Sequence, residues 1–217
     1  YDGSGNQNHG TISGATWVSG EEYGYQASLV RSNTPMIFDG SNDTVTISHA
    51  SNLTFTSGFS ISAWVNINTT NVAVGVIEKG KYFLRPWSDG NIYFGWYDSS
   101  NTVSNQAYAS YSSGSWFHVV GVYNSSDTKN YLYINGSEVN VTSANSITPA
   151  TDTGSLRIGS RPSGTPTSFL NGLINDVAIW DVALDADAVS ALYGSGTPLL
   201  PTSDSGNYDN SDSLVGY

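Results

Sequence analysis

No cysteine occurs in this sequence, which removes disulfide frameworks and thiolate metal sites alike. Charge is scarce too, at 12% of residues, and charge of one sign scarcer still: seven Lys and Arg stand against eighteen Asp and Glu, for a net charge of -11. Such a field repels phosphate backbones and anionic headgroups, so neither nucleic acid nor membrane insertion is expected. No apolar run approaches the roughly 18 residues of a membrane span. The sequence opens at Tyr1 without a methionine or a charged, apolar leader, as in a processed or excised polypeptide. What is abundant is Ser, Thr, Asn and Gly, a balance familiar in secreted β proteins, and the expected location is extracellular or at the cell surface. Sequons begin at Asn42, Asn52, Asn68, Asn124, Asn135 and Asn140, which suits a glycoprotein, although a chain this rich in Asn, Ser and Thr yields nearly as many by chance.

Hydrophobic alternation of period two runs along the chain, as in strands with one buried and one wet face. In Phe59–Ile67 the residues Phe59, Ile61, Ala63, Val65 and Ile67 share one face and Trp64 takes the other. Similar runs begin at Val45, Val74, Lys81, Asn91, Trp116, Tyr131 and Leu156, separated by Asp39-Gly40, Asp89-Gly90, Asn135-Gly136 and the turn at 161–164. Many short strands at this spacing predict a two-sheet antiparallel sandwich. Asn135-Gly136 predicts a type I′ hairpin over Tyr131–Val141, because both residues tolerate positive φ. Asp185 is placed to cap a short helix over 185–193.

Several phrases carry a resemblance. The run NGLINDVAIWDVALDADAVSALY at 171–193, the pairing of Trp116-Phe117-His118-Val119 with Tyr133-Ile134-Asn135-Gly136, FDGSNDTVTI at 38–47 and DGSGNQNHGT at 2–11 together resemble laminin G-like domains of the concanavalin A-like superfamily. The resemblance implies an all-β jelly roll over residues 1–193. Residues 194–212, rich in Gly, Ser, Pro, Asp and Asn, read as a flexible linker, and 213–217 as a strand-forming tail. Family members open with a strand similar to "LVGYW" ahead of the SGN-x-NHG phrase, whereas here that strand stands last. Two readings stay open. The tail is the stub of a following tandem repeat, or Leu214, Val215 and Tyr217 fill a vacant edge in their own domain or in a neighbouring copy by strand exchange.

The resemblance also implies a Ca²⁺ site, with oxygen donors at Asp2, Asn6 and Asn8 and further candidates at Asp39 and Asp176. The alternative is a loop closed by its own Asx turns. Glycoside hydrolases of the superfamily carry paired carboxylates on one strand, and no such pattern occurs among Glu21, Glu22, Glu78 and Glu138. Glu21 and Glu22 are adjacent and would point to opposite faces of a strand. No catalysis is therefore expected. The stretch from Tyr82 to Tyr111 is rich in aromatic residues; Phe94 and Trp96 are expected in the core, leaving Trp87, Tyr93 and Tyr97 as candidates to stack on sugar rings. The expected role is a structural or adhesive module, a repeat or fibre subunit partnered by its own copies, with carbohydrate binding as the alternative.

Overall fold

A computed structural model describes residues 1–18, 34–68, 73–162 and 169–217. Glu21, Glu22 and part of the turn expected at 161–164 lie outside them. Two antiparallel sheets face each other. The first carries β1 (Gly10–Ser13), β4 (Thr44–Ile47), β13 (Leu156–Ile158), β6 (Ile77–Lys79), β7 (Tyr82–Pro86), β8 (Asn91–Trp96) and β9 (Ala107–Ser110), in that spatial order. The second runs β12 (Ser137–Val141), β11 (Lys129–Ile134), β10 (Trp116–Asn124), β5 (Phe59–Ile67), β14 (Asn171–Trp180), β3 (Met36–Asp39) and β2 (Thr16–Trp17), with β15 (Leu214–Gly216) on β14. The all-β sandwich expected from the sequence is what forms.

Alternation explains the main core. Phe59, Ile61, Ala63, Val65 and Ile67 of β5 are all fully buried between the sheets and meet Leu84, Ile92, Phe94 and Trp96 from the opposite layer. Gly121 makes room for one of these: a Cβ on it would fall 2.2 Å from the Phe94 ring. The expected hairpin is present, with Asn135 at φ 51° and Gly136 at φ 76° joining β11 to β12.

The outer face of the second sheet is covered over its central strands. Helix α1 (Ala186–Tyr193), capped by the Asp185 carboxylate accepting from the Ala188 N–H at 2.8 Å, covers it with Ala188, Val189 and Leu192. Trp64, expected on the solvent side of β5, is buried there and stacks on Tyr193 at 5.7 Å. Double coverage explains why β10 is apolar on both faces: Val119 enters the main core, and Val120 and Val122 enter the layer under α1.

Residues 194–212, expected as a linker with little to bury, complete that layer. Tyr208 is fully buried, accepts a hydrogen bond from the Trp180 indole at 2.8 Å and donates one to the Pro201 carbonyl at 2.6 Å. Pro198 and Pro201 are buried with it, and Leu199 packs on the same layer. It delivers the tail to β14 of its own chain, where β15 pairs Gly216 with Ile179 and Leu214 with Trp180.

Candidate functional site

With α1 and the 194–214 segment over the second sheet, the outer face of the first sheet is left to carry side chains toward solvent. Alternation decides which. On β7 and β8, Tyr82, Leu84, Ile92, Phe94 and Trp96 point inward, so Phe83, Arg85, Tyr93 and Tyr97 point out. On β6 the inward Ile77 leaves Glu78 outward, and on β13 Leu156 and Ile158 leave Arg157 outward, opposite Glu78 in the strand pairing.

These residues form one cluster. Arg85 donates to the Glu78 carboxylate at 2.9 Å and to the Tyr97 hydroxyl at 3.1 Å. Its guanidinium lies over the Phe83 ring at 3.7 Å and within 4.9 Å of the Trp87 ring. Arg161 approaches from the end of β13, 3.5 Å from the second Glu78 oxygen and 5.4 Å from Trp87. Glu78 and Arg85 are each only 5% exposed. Burial pushes the Glu78 carboxyl up, against the two guanidiniums that pull it down. One Glu78 oxygen and the Nε atoms of Arg85 and Arg161 are buried without a hydrogen-bond partner among the described residues. A cleft of about 250 Å³ opens beside them, lined by Glu78, Gly80, Tyr97, Asn101, Arg161 and Pro162.

Rings extend the face. Tyr93 stacks on Tyr108 at 5.1 Å, and Tyr108 is 47% exposed. The Tyr93 hydroxyl donates to Asp89 at 2.6 Å, which holds the Asp89 carboxyl below its usual value and raises the Tyr93 phenol to about 12. Trp87 opens the turn between β7 and β8 and is half-buried. Trp87, Tyr93 and Tyr97 thus share one face, with Tyr97 committed to Arg85. The sequence reading missed Glu78, Arg85, Arg157, Arg161 and Tyr108. Three of the chain's four arginines stand in or beside this group, and no local signal in the sequence marks them, because strand pairing brings them together.

The oxygen-rich amino-terminal loop has a different set of partners. The Asp2 carboxylate accepts from the Ser4 N–H and hydroxyl, the Asn8 N–H and the Tyr217 N–H, at 2.9 to 3.0 Å. Asn6 and Asn8 donate to the Leu214 and Val215 carbonyls at 2.9 and 2.6 Å, and the Gly3 N–H donates to the Tyr217 carbonyl at 2.7 Å. The Tyr217 hydroxyl donates to Asp176, which lies in a bulge of β14 at φ 46°. Asp2, Asn6, Asn8 and Asp176 therefore gather round the tail strand. Asp39 belongs to a separate turn, its N–H donating to Asp43 and its carboxylate accepting from the Ser41 N–H.

A cavity of about 800 Å³ lies near Trp17, Met36 and Tyr217. Of the sequon asparagines, Asn42, Asn68 and Asn135 are exposed, while Asn52, Asn124 and Asn140 are partly buried. His118 is buried against Trp64, with the Tyr193 ring at 6.3 Å, and has no hydrogen bond to Nδ1 among the described residues.

Comparison with known proteins shows the same architecture. The binding domain of Paraclostridial Mosquitocidal Protein 1 superposes with a TM-score of 0.70 at 16% identity, covering 88% of this chain and 48% of that one. The Botulinum Neurotoxin serotype G binding domain gives 0.65 at 17% identity, with 87% and 47% covered. The binding domain of Botulinum Neurotoxin DC in complex with SialylT gives 0.62 at 15% identity, with 88% and 47% covered. The chain thus spans about half the length of these structures. No curated protein matches it. The family model described as concanavalin A-like lectin/glucanases superfamily, of laminin G type, matches residues 39–190, and the chain belongs to that superfamily.

Proposed function

We propose that this is a binding module that recognises a carbohydrate on the outer face of its first sheet. The observation that carries the reading is the gathering of Trp87, Tyr93 and Tyr108 around the Glu78–Arg85–Arg161 group, on the sheet face that α1 and the 194–214 segment leave uncovered. Apolar rings that stack on sugar faces, beside a few fixed polar groups, are the usual composition of such a site. The likeness to toxin binding domains, one of them solved with SialylT, supports recognition rather than bond cleavage and is in keeping with an extracellular placement.

Glycan-array screening followed by calorimetry tests it. Trp87→Ala is expected to weaken binding by about 10-fold or more, the cost of losing one stacking ring. The absence of binding to any glycan would overturn the reading. A second reading, a structural or adhesive repeat joined to another copy through Leu214, Val215 and Tyr217, draws on the short pairing of β15, which is two residue pairs long. Particle size that rises with concentration, and stops rising when residues 214–217 are removed, is its test.

A further inference from the structure

We infer that the apolar space beside the β14 bulge is a second binding site, one that takes the alkyl chain of an uncharged long-chain molecule such as an alcohol or an amide. Two cavities meet there, of about 130 and about 800 Å³. Trp17, Met36, Val45, Ile158 and Val177 line both, so the walls come from β4 and β13 of the first sheet and from β2, β3 and β14 of the second. Met36, Ile158 and Val177 pack against the main core yet stay only partly buried. Native interiors leave few gaps wider than a water molecule, and an empty apolar void forfeits the contacts that its walls would otherwise make. Space of this size and lining is the usual form of a small-molecule site.

The second sheet is open at the same place. β3 pairs with β14 as far as Ile174 and β15 resumes at Ile179, so among the described residues no strand pairs with 175–178 on that side. The bulge there holds Asp176 at φ 46°. Bulges gather beside binding and active sites, where they re-aim side chains or end the pairing. Apolar side chains flank the opening, with Trp17 56% exposed and Ile12 43%. The lining grades from apolar to polar. The smaller cavity ends on Ile47, Leu53, Leu156 and Ile179, whereas the larger reaches Thr34, Asn175, Asp176 and Thr202. A chain-like ligand would lie with its tail against the first set and its head among the second.

Charge selects the head group. No Lys or Arg side chain is among the described lining residues, so a carboxylate or phosphate drawn in here would lack a counter-charge. The two carboxylates of the lining are engaged by the chain's own donors, Asp2 by Ser4, Asn8 and Tyr217, and Asp176 by Asn175 and Tyr217. A hydroxyl or amide head needs only hydrogen bonds, which the Thr34 and Thr202 hydroxyls can supply.

Calorimetry and native mass spectrometry of the full chain with decanol and with decanoate, each below the concentration at which it aggregates, test the inference. One decanol per chain is expected, bound at least about 10-fold more tightly than decanoate, whose charge would be desolvated without a partner. Val177→Phe fills space common to both cavities and should weaken decanol binding by about 10-fold or more. Trp17→Ala, at an exposed position, serves if that variant fails to fold, and a similar loss is expected from it. Trp87→Ala, on the outer face of the first sheet, should leave decanol affinity unchanged, so this site and the carbohydrate reading stand or fall separately. No saturable binding of decanol, decanoate bound as tightly, or decanol affinity unaltered in the folded cavity variants would sink the inference.

Discussion

His118 shows what burial does to a single residue. Buried against Trp64 under α1, its imidazole pays the desolvation cost of charging with no compensating acceptor at Nδ1 among the described residues, and its pKa falls to about 3. The unfolded chain protonates it near 6.5, so between pH 6.5 and 3 the unfolded state binds the extra proton. Its contribution to stability is complete above pH 6.5 and is lost as the pH falls toward 3. Denaturant midpoints measured across that window should drop in the native protein, and the drop should shrink in His118→Phe; parallel curves would refute the assignment. Asp2 behaves in the opposite sense. Burial alone would raise its carboxyl, but the bonds from Ser4, Tyr217 and Asn8 more than offset this and hold it below the usual value, so its support is present above about pH 4 and fails only in stronger acid. Four protein donors on that carboxylate favour a loop closed by its own chain over one closed by calcium. Chelator is then expected to leave the melting temperature unchanged; a rise on adding calcium would restore the cation.

Elements whose chemistry is local were legible in the sequence. Asn135-Gly136 dictates its turn, Asp185 caps the residues next to it, and the alternation of β5 points its apolar face inward whatever lies opposite. Elements that depend on distant partners were not. The segment 194–212 looks unable to pack until Trp180 provides an indole N–H for Tyr208, and Glu78 and Arg85 look like ordinary outward residues until β6 and β7 pair. Two substitutions measure these long-range ties. Tyr208→Ala empties a fully buried ring site and strands the Trp180 indole, so a loss of about 3–5 kcal/mol is expected in chemical denaturation. Asp185→Ala removes only a cap and should cost about 1 kcal/mol. If the Tyr208 variant cost no more than the cap variant, the 194–212 segment would not be holding the outer layer of the second sheet.

At the scale of the whole molecule, the sandwich separates two tasks. The central strands of one sheet are buried on both faces and serve stability, while the other sheet turns a ringed, arginine-bearing face outward. Ligand-binding losses at Trp87 should therefore come without loss of melting temperature, and stability losses at Tyr208 without loss of binding by the folded fraction. Removing residues 214–217 strips Leu214 and Val215 from their apolar layers and leaves the Asp2, Asn6 and Asn8 side chains without the tail groups that they bind. A lowered melting temperature is expected, and an unchanged one would mean that the tail is an ornament on a complete fold. The Gly3–Tyr217 bond also fixes where mechanical load would act. If this polypeptide were stretched by both of its extremities, the tension would enter and leave at one corner. The β14–β15 and amino-terminal-loop bonds would open in sequence like a zip, and the body of the sandwich, with the outer face of its first sheet, would stay unloaded until that corner gave way.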